Sequence, residues 1–309
     1  MRLALLVTLA LVPAPLVAQA TTVDQAAVER RLAEAEARRD WAGALEAAQA
    51  LNEHAEEAHL EALYRVARFH ALLGATDRAC ETLEQIQQAG LFDVQRVRRD
   101  EAFAAMRDDP RFKAATQAIW LKGYLWILER PERDLYQQPD RVMDALAFRP
   151  GERVADIGAG SGYFTRRISR VVGPSGIVWA IDIRPEILAV LEERARRDGL
   201  SNIRSQRVDP DDPQLPEGRV DTVIMVDTLH YVKARSAYAK RLRAALAPGG
   251  RVVIIDFLPK PIEERPWGPP PEQKMSREEV DAAMAEAGLF PARVHDFLTE
   301  QFFVEYRAR

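Results

Sequence analysis

The stretch "VADIGAGSGYFTRRIS", residues 154–169, decides how the second half of this 309-residue chain is read. A short apolar run ends in an acid, three glycines follow at alternate positions, and a helical pattern then begins. A strand that turns through glycines into a helix lets a ligand approach the backbone and the helix N-terminus closely. The dinucleotide fingerprint is G-x-G-x-x-G, whereas Gly158, Gly160 and Gly162 give G-x-G-x-G, with Asp156 two residues ahead. A carboxylate there repels a pyrophosphate and suits an ammonium group. The phosphate-loop pattern fails as well, because no lysine follows the glycines. A nicotinamide-dependent dehydrogenase is therefore disfavoured.

Outward from the glycine turn, "RVADI", "GIVWAID", "NIRSQRV", "RVDTVIMV" and "RVVIIDF" are short, apolar, β-branched runs. Helical patterns over 163–172, 185–198 and 234–247 separate most of them. Strands alternating with helices predict an α/β fold with a parallel sheet covered on both faces. Pro248, Gly249 and Gly250 read as a turn ahead of the fifth strand. A proline-rich excursion with Glu263, Glu264, Trp267 and the prolines at 269–271 follows, either covering the substrate or serving as a linker. A helix over 277–287 precedes "ARVHDF" and "QFFVEYR", which only Leu298, Thr299 and Glu300 separate. So short a connection makes these two antiparallel if they pair.

Two further acids extend the ligand argument. Asp182 ends the second strand 20 residues after Gly162, where a carboxylate accepts both hydroxyls of a ribose. Asp209 ends the third run, where an adenine amino group is met. A ligand with an ammonium, a ribose and an adenine but no phosphate is S-adenosylmethionine. The ordered segments "VADIGAGSGYFT", "AIDIRPEIL", "DTVIMVDTLHYV" and "LAPGGRVVIIDF" resemble the motifs of class I S-adenosylmethionine-dependent methyltransferases, over residues 131–307. The resemblance implies a seven-stranded, mostly parallel sheet with an antiparallel last strand. It also implies S-adenosylmethionine as cofactor, surrounded by Asp156, Gly158, Ala159, Gly160, Gly162, Tyr163, Asp182, Ile183, Asp209 and Asp227, with Asp227 facing the methyl group. The alternatives are Asp156 as a helix cap, Asp182 as a turn residue before Pro185, and Asp211 or Asp212 in place of Asp209.

Methyl transfer is an in-line displacement in which alignment dominates, and a base is needed only where the acceptor must lose a proton. The candidates for such a role are Asp227, His230 and Tyr231, in "DTLHYV" after the fourth strand. His230 is either a general base or a packing residue. The motif Asp-Thr-Leu-His departs from the Asn- or Asp-Pro-Pro-aromatic pattern of amino-methyltransferases. No cysteine lies in the domain, which argues against cysteine-based arsenic or cytosine methylation, and no metal site is expected.

Ahead of this domain, expected over 151–309, lie a linker with leading helices over 123–150 and an all-α region over 21–122. Ala62, Val66, Phe69 and Leu73 form one apolar stripe at helical spacing, and Gly74 and Gly90 read as helix stops. "RRDWAGALEAAQAL" (38–51) aligns with "LGATDRACETLEQI" (73–86) at an offset of 35, which resembles the tetratricopeptide repeat. Arg39 stands where the turn glycine belongs. The region is either a helical cap or a surface for a protein or peptide partner. Cys80, the single cysteine, reads as a core residue. The net charge of −4 gives no reason to expect nucleic-acid binding.

Residues 1–20 have the order of a secretory signal peptide, with cleavage expected after Ala20 and a periplasmic or secreted location. The apolar run is shorter than the about 20 residues of a membrane span, so no stable span is expected. The alternative location is cytoplasmic or membrane-associated, since S-adenosylmethionine is a cytosolic metabolite. The functional expectation is methyl transfer to an unidentified small-molecule or protein acceptor. Its alternative is an exported scaffold whose methyltransferase domain no longer catalyses.

Overall fold

The computed structural model describes residues 25–38, 40–261, 263–265, 268–270 and 273–309. The expected signal peptide, Arg39, Trp267 and Pro271 lie outside the described residues. Two compact units divide between Ile127 and Leu128. No helix among the described residues is long and apolar enough to cross a membrane.

The first unit is helical: α1 (Gln25–Ala37), α2 (Trp41–Leu72), α3 (Thr76–Ala89), α4 (Val94–Arg99) and most of α5 (Pro110–Glu129). Its boundaries follow local chemistry. Asp40 accepts a hydrogen bond from the Gly43 amide at the start of α2, and Asp93 does the same for Gln95 at the start of α4. Gly74, at φ +72°, carries the turn between α2 and α3. The aligned segments keep their spacing as two helix starts, Trp41 and Thr76. A tetratricopeptide array would break between them, since each repeat of about 34 residues is a helix–turn–helix. Instead α2 runs through as one helix of 32 residues.

The stripe Ala62, Val66, Phe69 and Leu73 is not the packed face of α2. Val66, Phe69 and Leu73 are exposed, while Leu60, Tyr64 and Ala67 meet Ala79, Cys80, Leu83 and Ile86 of α3. Both faces carry apolar residues at helical spacing. The buried one offers the small Ala67, which permits close helix approach. It also carries Tyr64, whose hydroxyl donates to Asp100 Oδ2 at 2.6 Å. Cys80 is fully buried in this core, and burial pushes its thiol up.

The second unit opens with α6 (Glu132–Gln137) and α7 (Pro139–Leu146) and then forms a seven-stranded sheet. Its strands are β1 (Arg153–Ile157), β2 (Ile177–Asp182), β3 (Ile203–Arg207), β4 (Val220–Val226), β5 (Leu246–Phe257), β6 (Leu289–His295) and β7 (Gln301–Ala308). The order is β3-β2-β1-β4-β5-β7-β6. β1 to β5 pair in parallel, and β7 inserts antiparallel to both β5 and β6. The crossover helices are α8 (Thr165–Val172), α9 (Pro185–Arg197), α10 (Arg235–Ala245) and α11 (Arg277–Glu286).

Period-two alternation assigns the two faces. Ala155, Ile157, Val223, Met225, Val252 and Ile254 pack with residues of α10 and α11. Val154, Ile224, Val226, Val253 and Ile255 pack with residues of α7 and α8. Pro248, Gly249 and Gly250 do not precede the fifth strand but lie inside β5, opposite the register shift between Val220 and Thr222. A Cβ on Gly250 would lie 2.9 Å from the Ala247 carbonyl oxygen, so the bulge needs glycine there.

At the N-terminal end of β4 and β5, a polar network ties α7 to the sheet. Arg251 donates to Glu305 at 2.9 Å, to Thr222 at 3.0 Å and to the Leu146 carbonyl at the end of α7 at 2.6 Å. His295 Nε2 lies 2.9 Å from the other Glu305 oxygen. Burial pushes the Glu305 carboxyl up, but the bonds from His295 and Arg251 outweigh it and hold the group below its ordinary value. A depressed carboxylate contributes stability above its unfolded pKa of about 4.3 and loses it as pH falls through the lower folded value. Glu305→Ala therefore lowers unfolding stability by about 3 kcal/mol near neutral pH, the scale of breaking a buried ion pair. Urea denaturation followed by circular dichroism checks this, and the deficit relative to the unaltered protein shrinks below about pH 4.

Candidate functional site

The C-terminal ends of β1 and β4 are neighbours, and from there the chain order departs to opposite sides of the sheet. Such a switch point is where open α/β sheets bind ligands. The glycine turn leaves β1 here. Gly158, Gly160 and Gly162 have φ of +73°, +55° and +89°, a region that favours glycine. The Gly158 and Ala159 amides both donate to the Ile181 carbonyl of β2, at 2.8 and 3.0 Å. Space demands glycine too. A Cβ on Gly158 would lie 2.1 Å from Thr228 Oγ1, which arrives from the end of β4. A Cβ on Gly162 would lie 3.0 Å from Leu191 of α9.

Asp182 organises the turn from the side. One oxygen accepts from the Gly160 amide and the other from the Arg184 amide, both at 3.0 Å. Burial pushes this carboxyl up, and those amides oppose the shift. Each oxygen keeps lone-pair capacity for a further donor. Asp156 lies beneath the turn, 3% exposed, and accepts from the Thr165 hydroxyl at 2.5 Å. Burial raises it to about 6. Thr165 is the first residue of α8, so this bond ties β1 to that helix.

Other sequence candidates are placed as follows. Ala159 is buried with Ala180 and Leu191, and Ile183 is half-buried against the core. Tyr163 is buried between the guanidinium groups of Arg133 and Arg167, which lie 4.0 and 4.3 Å from its ring centre. Its hydroxyl donates to Asp134, so this side chain fastens α6 to the turn. Asp209 is exposed, one residue after Val208, whose amide donates to the Asp182 carbonyl. A bridge to Asp212 closes the turn that carries it.

Asp227 follows β4 with φ +53°, a left-handed conformation unusual outside glycine and recurrent at functional sites. Burial raises its carboxyl to about 7; Asp256 adds to the rise, while Arg133, His230 and Gln301 oppose it. Gln301 donates to Asp227 and accepts from Gln137 of α6 at 2.8 Å. His230 is buried in a short 3-10 turn (Leu229–Tyr231). Its Nδ1 lies 2.7 Å from Asp256 Oδ1. Tyr231 is 48% exposed, with its ring centre 4.1 Å from that of His230.

Residues 154–250 match a family model described as a methyltransferase domain. The α/β unit has the fold of class I S-adenosylmethionine-dependent methyltransferases. Among solved structures, an S-adenosylmethionine-dependent methyltransferase from Aquifex aeolicus is similar, at 28% identity and a TM-score of 0.54. That likeness covers 58% of this chain and 94% of the other. Ubiquinone/menaquinone biosynthesis C-methyltransferase UbiE of Pasteurella multocida (strain Pm70) is 33% identical over 122 residues, 39% of this chain and 45% of that protein. UbiE of Pseudomonas paraeruginosa (strain DSM 24068 / PA7) is 34% identical over 117 residues, 38% of this chain and 46% of that protein. The chain thus spans about half the length of the curated relatives it matches.

The residues of this methyltransferase domain fit S-adenosylmethionine. A positively charged ligand suits carboxyls that burial has left high, and the turn has no side chain where the ligand must approach. Several participants escaped sequence reasoning. Arg133 is buried, bonded to the Leu128 carbonyl at 2.7 Å, and its charge reaches both Asp156 and Asp227. Gln137 and Gln301 carried no motif. Asp256 did carry a signal, an acid at the end of the otherwise apolar "VVIID". Gly158→Ala lowers affinity for S-adenosylmethionine at least tenfold, because the methyl group meets Thr228 and the backbone is strained. Adding Thr228→Gly recovers part of that loss, leaving about 1–2 kcal/mol of left-handed strain. Calorimetric titration of both variants checks the order.

Proposed function

We propose that the chain catalyses methyl transfer from S-adenosylmethionine to an acceptor that is a small molecule or a group on a protein. The observation that carries the reading is the convergence of the glycine turn, Asp182 and Asp227 on the crevice between β1 and β4. In this proposal Asp182 holds the ribose hydroxyls and Asp209 lies toward the adenine edge. The turn from Gly158 to Gly162 and Arg133 hold the methionine portion, with Asp156 acting through its charge from below. Asp227 faces the positively charged end. When bound, the donor supplies an electrophilic methyl group on a cationic sulfur. The protein's contribution is to align the acceptor with it and to exclude water.

Export belongs to the same proposal and rests on the order of residues 1–20. Cell fractionation with a C-terminal tag tests it, and a full-length cytosolic product overturns it.

The raised carboxyls give donor binding a signature. Asp156 at about 6 and Asp227 at about 7 hold protons in the free protein over part of the neutral range. A cationic ligand favours their charged forms, so binding releases protons and tightens as pH rises from about 5 to 8. Calorimetry in two buffers of different ionisation heat measures the release, and Asp227→Asn reduces it. Absence of binding heat at ~1 mM S-adenosylmethionine, the weak end of ordinary KM values, overturns the methyltransferase reading.

A further inference from the structure

We infer that His230 takes a proton from the methyl acceptor, that Asp256 positions it for this, and that the acceptor presents a hydroxyl group. The inference rests on the methyl-transfer reading above. Asp256 is 1% exposed at the end of β5 and uses both oxygens on the turn that carries His230. Oδ1 lies 2.7 Å from His230 Nδ1 and accepts from the Phe257 amide at 2.8 Å. Oδ2 accepts from the His230 amide at 3.2 Å. A carboxylate in that position selects the ring form with its proton on Nδ1, because a bare nitrogen would oppose an acceptor with an acceptor. The lone pair is then on Nε2, which is buried without a hydrogen-bond partner. Buried polar atoms are paired as a rule, and the exceptions mark functional positions.

This pair adjoins the candidate donor site. Val226, the residue before Asp227, pairs with Ile255, the residue before Asp256. The charge of Asp256 acts on Asp227. The groups facing this region are Asp227, Asp256, Tyr136, Tyr231, Arg133 and Arg265. Arg265 lies 4.7 Å from the Phe257 ring centre and is buried among the charges of Asp227, Asp256 and Glu300. The guanidinium groups of Arg133 and Arg265 favour an acceptor oxygen that gains negative charge as it loses its proton. The rings of Tyr136 and Phe257, 6.1 Å apart, make this region aromatic as well as charged.

The step balances without a further reagent. The acceptor O–H bond breaks as the Nε2–H bond forms. The freed oxygen pair makes the new bond to the methyl carbon, and the old carbon–sulfur pair stays on sulfur. The imidazolium, stabilised by Asp256, returns its proton to water once product leaves.

Nitrogen-15 labelling of the histidines in the full chain, read by long-range hydrogen–nitrogen correlation without donor, tests the assignment. His230 is expected in the form with its proton on Nδ1 and Nε2 bare. A dominant Nε2–H form, or a doubly protonated ring from pH 6 to 8, overturns the base. Asp256→Asn, which turns one oxygen into a donor, is expected to populate the Nε2–H form. An unchanged ring form in that variant overturns the positioning role. With 2-naphthol as probe at ~1 mM, where even weak complexes form, the Nε2 resonance shifts, and with 2-naphthylamine it does not. An unmoved resonance with 2-naphthol, or an equal shift with the amine, overturns the hydroxyl acceptor. None of these readouts needs S-adenosylmethionine, so they fail independently of the calorimetric test.

Discussion

Gly158 and Thr228 meet where the ends of β1 and β4 diverge, at a separation that leaves no room for a single methyl group on the glycine. That contact sets the floor of the crevice. The missing Cβ lets the chain leave β1 in a left-handed turn. The Thr228 side chain, whose hydroxyl donates to the Val226 carbonyl at 2.8 Å, closes the space above it. The amides after Gly158 then face β2, where the Ile181 carbonyl and the Asp182 carboxylate receive them. The turn is thus held by the strands on both sides, and it presents backbone where other folds present side chains.

Around this floor the protein accumulates buried acid. Asp156, Asp182 and Asp227 are all pushed up by loss of water, and the nearby guanidinium of Arg133 limits the rise for Asp156 and Asp227. Carboxyls in this condition are poised between protonated and charged forms, and a cation settles them. The leading helices complete the arrangement. Tyr163 grips Asp134 of α6, and Gln137 reaches Asp227 through Gln301, so α6 meets the ends of β4 and β7 through hydrogen bonds. At the opposite end of the strands, Arg251 and Glu305 anchor α7 with a satisfied ion pair. One end of the sheet is electrostatically resolved and the other is left unresolved, which is the distribution expected of a scaffold and its site.

Much of this was legible in sequence because it is local. Strand runs, crossover helices and the glycine turn depend on period and on turn chemistry within a few residues. The antiparallel β7 followed from a connection too short for anything else. Asp156, Asp182 and Asp227 were legible as acids at strand ends. Other features failed the same reasoning for one cause. α2 carries two apolar stripes of equal spacing, and the choice between them was made by Ala67 and by the bond from Tyr64 to Asp100, 36 positions away. Pro248 to Gly250 looked like a turn, and became a bulge only because β4 lies alongside.

The sequence by itself determined the fold class, the order of elements in the α/β unit and the position of the glycine turn, since these follow from interactions between near neighbours. Only the tertiary structure decided which side chains share the site. His230 and Asp256 are 26 positions apart, and Gln137 and Gln301 are 164 apart. No periodicity encodes such pairs. They exist because parallel strands bring their C-terminal ends to one edge, where groups remote in the chain lose water together and must satisfy one another.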